Sequence, residues 1–212
     1  KTGNCDSAKK GTEVIKVLDK PALINELGNL MYDCWWQMGE GKVDYRASGV
    51  GSSESYCAVC NTIKFDSSIK TNKEMNSISL KELYTSLQTR KVPNKDMNYL
   101  QYMFKLNDYA AVVDNVKAIS NAYGTPVDIE SKNIDLSEGD MALVTALNKE
   151  GWGKVAEGTT IGALSGAAVG GGLPGFLVGG AVGVGVGYWS SDNNVKYLPP
   201  TLYGYNSEDF KG

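Results

Sequence analysis

The chain has 212 residues, 24 of them acidic and 21 basic, a net charge of −3 and no histidine. That length holds one medium domain with a further segment, and mild acidity without a long basic run argues against nucleic acid as a partner. The lack of histidine rules out Ser-His-Asp and Cys-His catalysis and histidine metal sites, and it removes the usual switch near neutral pH.

Lys1 opens the chain without Met or a hydrophobic leader, which reads as a mature or trimmed product after loss of a signal segment. Residues 1–13 are polar and expected to be irregular. Residues 21–38 predict an amphipathic helix, with Asp19 near its cap and Pro21 in its first turn. Leu23, Leu27, Leu30, Met31, Cys34, Trp35 and Met38 recur at three- and four-residue steps along it, and Gly39-Glu40-Gly41 ends it. Residues 42–46 and 56–65 predict two strands of a β-hairpin, joined by the Gly- and Ser-rich link Ala47–Ser55.

Ser79-Leu80-Lys81-Glu82 is a capping box that opens a helix to about Thr89, with Leu80, Leu83, Tyr84 and Leu87 on its apolar face. Pro93-Asn94 breaks the pattern. Residues 96–105 and 107–122 predict helices, the second with Val112, Val113, Val116 and Ile119 inward. Gly124-Thr125-Pro126 predicts a turn and Val127–Ile129 a short strand. Ser137-Glu138-Gly139-Asp140 is expected to cap one more helix, with Met141, Val144 and Leu147 on one face.

Residues 158–191 carry no charge and hold two glycine ladders. The first is Gly158, Gly162, Gly166 and Gly170; the second is Gly175, Gly179, Gly183 and Gly187. A step of four returns to one side of a helix, so each ladder is a groove that admits another backbone, the small-xxx-small logic of packing in lipid. Gly171-Gly172-Leu173-Pro174 is the expected turn of a helical hairpin. Each arm reaches roughly 23 Å at 1.5 Å per residue, short of a bilayer core of about 30 Å. Spanning with local thinning, re-entrant insertion and burial in an assembly all remain open. Tyr188-Trp189 has the look of an interfacial anchor. The tail, Lys196 to Tyr205, is rich in Pro and Tyr and predicted to be extended, lying either on a neighbour or on its own domain.

The fold class expected is α+β: a small, mostly helical N-terminal domain with a β-hairpin over 1–155, a glycine-zipper helical hairpin over 156–190 and an extended arm over 191–212. The four cysteines, Cys5, Cys34, Cys57 and Cys60, predict two disulfides in an exported chain, with three possible connectivities. Cys57 and Cys60 are read as structural, with Cys34 or Cys5 as partners at least as readily as each other. A zinc site lacks its second close pair, and a redox Cys-x-x-Cys belongs at a strand-to-helix junction, whereas residues on both sides here read as strand. Glu40 and Asp44 beside Trp35, Trp36 and Lys42 have the composition of a sugar-binding or hydrolytic site. They are read instead as a helix end with solvated charges and core tryptophans. Gly39-Glu40-Gly41-Lys42 lacks the spacing of a phosphate loop.

Asp33-Cys34-Trp35-Trp36-Gln37-Met38-Gly39-Glu40-Gly41-Lys42, Tyr56-Cys57-Ala58-Val59-Cys60 with Ile63-Lys64-Phe65-Asp66, and the ladders followed by the Pro-Pro-Tyr tail together resemble a group of membrane-associated proteins predicted in archaea, especially small-genome lineages. The resemblance covers about half of the chain and implies a surface location. The ladders alone also resemble those of glycine-zipper membrane proteins and some bacteriocins. The expectation is a non-enzymatic, cofactor-free protein of the cell envelope or extracellular space, membrane-associated, with itself and the lipid membrane as partners. It would assemble through Gly158–Gly187 and Trp189 into a surface layer, filament, tube or ring. The alternatives are a pore-forming or membrane-permeabilising protein and a thiol oxidoreductase using Cys57 and Cys60.

Overall fold

The computed structural model describes residues 14–42, 55–123, 128–137, 139–148, 189–190 and 196–205. The fold is α+β. Helix α1 (Lys20–Gln37) starts as predicted: the Asp19 side chain accepts from the Ala22 N–H, and a proline stands in the first turn. Its apolar stripe, Leu23, Ile24, Leu27, Met31, Cys34 and Trp35, is buried. Strand β1 (Ser55–Ile63) follows, then a short helix α2 (Ser67–Lys70), strand β2 (Ser77–Ser79), helices α3 (Leu80–Thr89), α4 (Tyr99–Phe104) and α5 (Tyr109–Tyr123), and strands β3 (Asn133–Asp135), β4 (Asp140–Asn148), β5 (Trp189–Ser190) and β6 (Lys196–Tyr205).

Helix α3 carries its capping box in full, with Ser79 Oγ accepting from Glu82 N and the Glu82 carboxylate accepting from Ser79 N. Leu80, Leu83, Tyr84 and Leu87 are buried as predicted. α3 packs closely on α1 because residue 28 is glycine. A Cβ there would stand 2.9 Å from Arg90 Nη1 and 3.0 Å from Leu87 Cδ2. Arg90 uses that space to donate to the Asn25 carbonyl at 2.6 Å and to the Asn29 side chain. The helix expected over 96–105 is shorter, since Asn98 caps it through a second box with Gln101. Five of its six residues are buried. In α5, Val112, Val113 and Val116 face inward; the side chain of Ile119 lies outside the described residues.

Two secondary-structure expectations are corrected. The segment after Ser137-Glu138-Gly139-Asp140 is strand β4, not a helix. Met141, Ala142, Leu143, Val144 and Thr145 are all buried, so β4 is covered on both faces. Such a run satisfies a helical template by having no charged residue to break it, and periodicity alone does not separate the two states. Asp140 begins β4 and pairs with Lys70 at 3.1 Å rather than capping a helix. The strand expected at 127–129 instead falls at Asn133–Asp135. Residues 128–131 form a turn around the Asp128 carboxylate and carbonyl, which accept from Glu130 N and Ser131 Oγ. Gly124, Thr125, Pro126 and Val127 lie outside the described residues. β1 pairs with β4, antiparallel from Ser55↔Asn148 to Ile63↔Met141. Lys42 closes a short turn of helix over Gly39–Gly41, and residues 43–46 lie outside the described residues.

The sheet order is β1-β4-β6-β5, with β2 and β3 pairing separately through the buried Ile78 and Ile134. The division that sets 191–212 apart as an arm therefore separates a strand from its sheet: Lys196–Tyr205 lies between β4 and β5. Of the two readings for the tail, its own domain takes it. Leu198 and Thr201 pair with Ala146 and Val144, so Pro199 and Pro200 together oppose the single residue Thr145. That is a β-bulge, where a residue without an N–H is tolerated. A second bulge lies at Cys60, between Val59↔Val144 and Asn61↔Leu143. Cys60 is disulfide-bonded to Cys34, with Cα atoms 5.4 Å apart.

Two outcomes follow from this frame. Replacing Cys34 and Cys60 together by Ser should lower stability by about 3–4 kcal/mol, the chain-entropy value for a loop of this separation, read from urea midpoints. A chain ending at Val195 loses the strand between β4 and β5. It should show no cooperative thermal unfolding, and retention of the parent's transition would contradict the topology.

Candidate functional site

Two places gather chemistry-bearing residues. One is the disulfide, which ties the C-terminal half of α1 to β1. Cys57 pairs in register with Ala146, three residues before the bonded Cys60. Its side chain, like the whole of Cys5, lies outside the described residues. Asp44 lies outside them too, as do Gly158, Gly162, Gly166, Gly170, Gly175, Gly179, Gly183 and Gly187. Trp189 is placed through its backbone alone, in β5 opposite Tyr197.

The other place is a charged and aromatic cluster around Glu40. Three loops build it. The first is the end of α1, where Gly39, Glu40 and Gly41 have φ of 77°, 56° and 73°. Glycine adopts this left-handed region freely, whereas Glu40 does so at a cost of about 1 kcal/mol or more. The second loop follows α3. Lys91 bridges Asn98, Val92 N donates to the Met97 carbonyl, and Asn94 has φ 59° just before Lys95. The third is the end of α4, where Lys105 is the left-handed cap with φ 58°. Glu40, Asn94 and Lys105 are the non-glycine residues with positive φ among those described. Each sits at or beside a charged group of the one cluster. Backbone strain of this kind persists only where the surroundings over-determine it, and it gathers at functional places.

The contacts supply that determination. Glu40 accepts from Lys42 Nζ at 2.7 Å through one carboxylate oxygen, and from Lys95 Nζ at 3.2 Å and the Tyr102 hydroxyl through the other. Lys95 also stands 4.1 Å over the Tyr102 ring. Tyr32 of α1 meets both tyrosines of α4, with ring centroids 5.3 Å from Tyr99 and 5.4 Å from Tyr102. Arg90 covers the far end, 4.7 Å from the Tyr99 centroid. Three rings, Tyr99, Tyr32 and Tyr102, thus lie in a row between two cations, Arg90 and Lys95, a favourable order because the ring faces are electron-rich.

The electrostatics agree with the geometry. The bonds from Lys42 and then Tyr102, joined by Lys95, outweigh burial and hold the Glu40 carboxyl at about 2. Burial, then the bond to Glu40, pushes the Tyr102 phenol up. Burial, with Lys42 and Lys95 nearby, lowers Lys105. Of the residues picked out by the sequence, Glu40 and Lys42 meet. Trp35 is buried as expected, while Trp36 is 61% exposed rather than in the core. Lys95, Tyr102, Lys105 and Tyr32 were not anticipated. The available signal was Glu40 between two glycines, a composition that invites positive φ and therefore a reason for a charged side chain there. Among the described residues, no group of three or more Cys, Asp and Glu could hold a metal ion, and no helix is long and apolar enough to cross a membrane.

The chain matches no protein-family model, no curated protein and no solved structure.

Glu40 makes a specific acid limb. Its folded-state value lies below the ordinary 4.5, so its contribution to stability is fully present above that value and is lost as the pH falls towards about 2. Glu40→Gln should lower stability at neutral pH by about 1–2 kcal/mol, solvent screening at this rim holding the figure down. It should also remove the corresponding part of the acid dependence. Urea midpoints of parent and variant that run parallel from neutral pH to pH 2 would contradict the clamp.

Proposed function

We propose that this chain is a non-enzymatic protein of the cell envelope or extracellular space that self-assembles through its glycine-ladder segment, as a subunit of a surface layer, filament, tube or ring. One observation carries the reading: the register of the sheet around that segment's two ends. Leu147 and Trp189 both pair with Tyr197, and Asn148 and Ser190 both pair with Lys196. The chain thus leaves the sheet after β4 and re-enters at β5 at the same end, two strand spacings apart. That is about 10 Å. Two packed helices have axes 8–10 Å apart. A frame that holds both ends at this distance suits a helical hairpin, and the four-residue glycine period suits close backbone contact along it.

The second partner is a lipid membrane, to which the uncharged ladders are also suited. Pore formation is the runner-up reading, with the same segment inserted in a bilayer. The bond from Cys60 to Cys34 favours structural cysteines over a thiol oxidoreductase that uses Cys57 and Cys60 as its pair.

Gly166→Leu and Gly179→Leu each place a bulky group on the ladder, and each should abolish the large species seen by sedimentation velocity and electron microscopy. Leu164→Val lies off the ladder and should leave it intact. Assembly of both glycine variants at the parent's concentration threshold would refute the reading. Leakage of dye from liposomes, with no ordered oligomer in lipid-free buffer, would favour the pore.

A further inference from the structure

We infer that the outer face of the four-stranded sheet, centred on Ala142 and Val144, is a docking surface for the chain's own glycine-ladder segment, residues 158–188.

Burial is the first observation. Along β4 the side chains alternate between the two faces of the sheet. Met141 and Leu143 join the core that α1 enters with Leu27 and Trp35. Ala142 and Val144 therefore face the other way and stand outside that core, yet they are 0% and 2% exposed. On the same face their cross-strand neighbours are Thr62 and Val59 of β1 and, opposite Val144, Thr201 of β6. Such neighbours stand beside a side chain, not over it. Thr201 is buried too, although among the described residues no strand pairs with the far edge of β6 at that point. Val59, by contrast, is 46% exposed. The cover thus lies over β4 and β6 and stops short of β1.

Composition selects the occupant. An apolar face calls for an apolar cover, because a charge laid on it would lose its hydration. The stretches 1–13, 43–54, 149–157, 191–195 and 206–212, all outside the described residues, carry charged side chains. The stretch 124–127 is too short to lie along both strands. Residues 158–188 carry no charge.

Length and attachment agree. β4 has 9 residues, about 30 Å of strand. Each arm of the ladder segment is roughly 23 Å as helix. Both ends of the segment are held at the Asn148 end of the sheet, so a hairpin folded back over the outer face runs along β4 and β6 past Val144 and Ala142. The segment also has a face to offer. Opposite the ladders, at 3.6 residues per turn, stand Ile161 and Leu164 in the first arm and Leu177 and Val184 in the second. These larger side chains meet the small ones of the sheet, and the glycine faces stay turned to the other arm or to another subunit. This docking rests on the helical hairpin proposed above and not on self-assembly.

The test places a photoactivatable benzoylphenylalanine at position 59, the exposed rim of this face, in the full chain. A control probe stands at position 81, exposed on α3. Irradiation at a dilution where sedimentation velocity finds monomer, followed by peptide mass spectrometry, should give links from position 59 to residues 158–188 of the same chain and none from position 81. Gly166→Leu, expected to block assembly, should keep the link. Leu177→Asp combined with Val184→Asp should remove it and raise the fluorescence of a dye that binds exposed apolar surface. Links from position 59 to a charged stretch instead, links only between chains, no link at all, or an undiminished link in the double aspartate variant would each overturn the inference. Loss of assembly with the link kept, or loss of the link with assembly kept, separates this docking from the assembly proposed above.

Discussion

The strand that the rest of the structure depends on is β4. Its central residues are buried on both faces, so no water reaches their backbone N–H and C=O groups, and both edges must be paired with protein. The partners lie far apart in sequence, one on each side of β4. β1 precedes the helices α2 to α5, and β6 follows the glycine ladders. The sheet is complete only when residues near 60 and residues near 200 both meet residues near 144. Contacts this distant in sequence are slow to form and make the two halves of the chain interdependent.

α1 lies across that sheet and turns its requirements into a rigid site. It buries Trp35, Met31 and Leu27, and it is bonded to β1 through Cys34 and Cys60. α3 is drawn against it at Gly28, with Arg90 as the cross-link. A helix held along its length delivers its C-terminal turn to a fixed position. Glu40 can then sit at positive φ because three donors and two flanking glycines hold it there. The strain is offset locally by charge-assisted bonds.

How much of this is legible in the sequence depends on whether the deciding contact is local. The start of α1 at Asp19 and Pro21, the box Ser79–Glu82 and the inward face of α5 are set within a few residues, and all are readable. Met141–Thr145 is not, because a mostly apolar, uncharged run is equally compatible with a buried helix. Its state is fixed by β1 and β6 arriving from afar. The tail is half readable: Pro199-Pro200 dictates extended backbone, but the bulge that accommodates both prolines opposite Thr145 exists only in the pairing. The cluster follows the same rule. Glu40 and Lys42 are neighbours in sequence, whereas Lys95, Tyr102 and Lys105 reach them through the packing of α4 on α1.

The glycine content gives the proposed assembly its energetic sense. Each glycine in a helix costs about 1 kcal/mol relative to Ala in water, so eight amount to roughly the whole stability of an ordinary domain. A ladder of this composition is therefore costly to keep helical on its own. Two circumstances reduce that cost. Fixing both ends of the segment at one end of a sheet removes part of the entropy of bringing two arms together. Close backbone approach then returns dispersion and packing that side chains would otherwise block. The scaffold supplies the first whatever the surroundings. The second requires a partner backbone, either the other arm or another subunit, so a segment of this kind is suited to association.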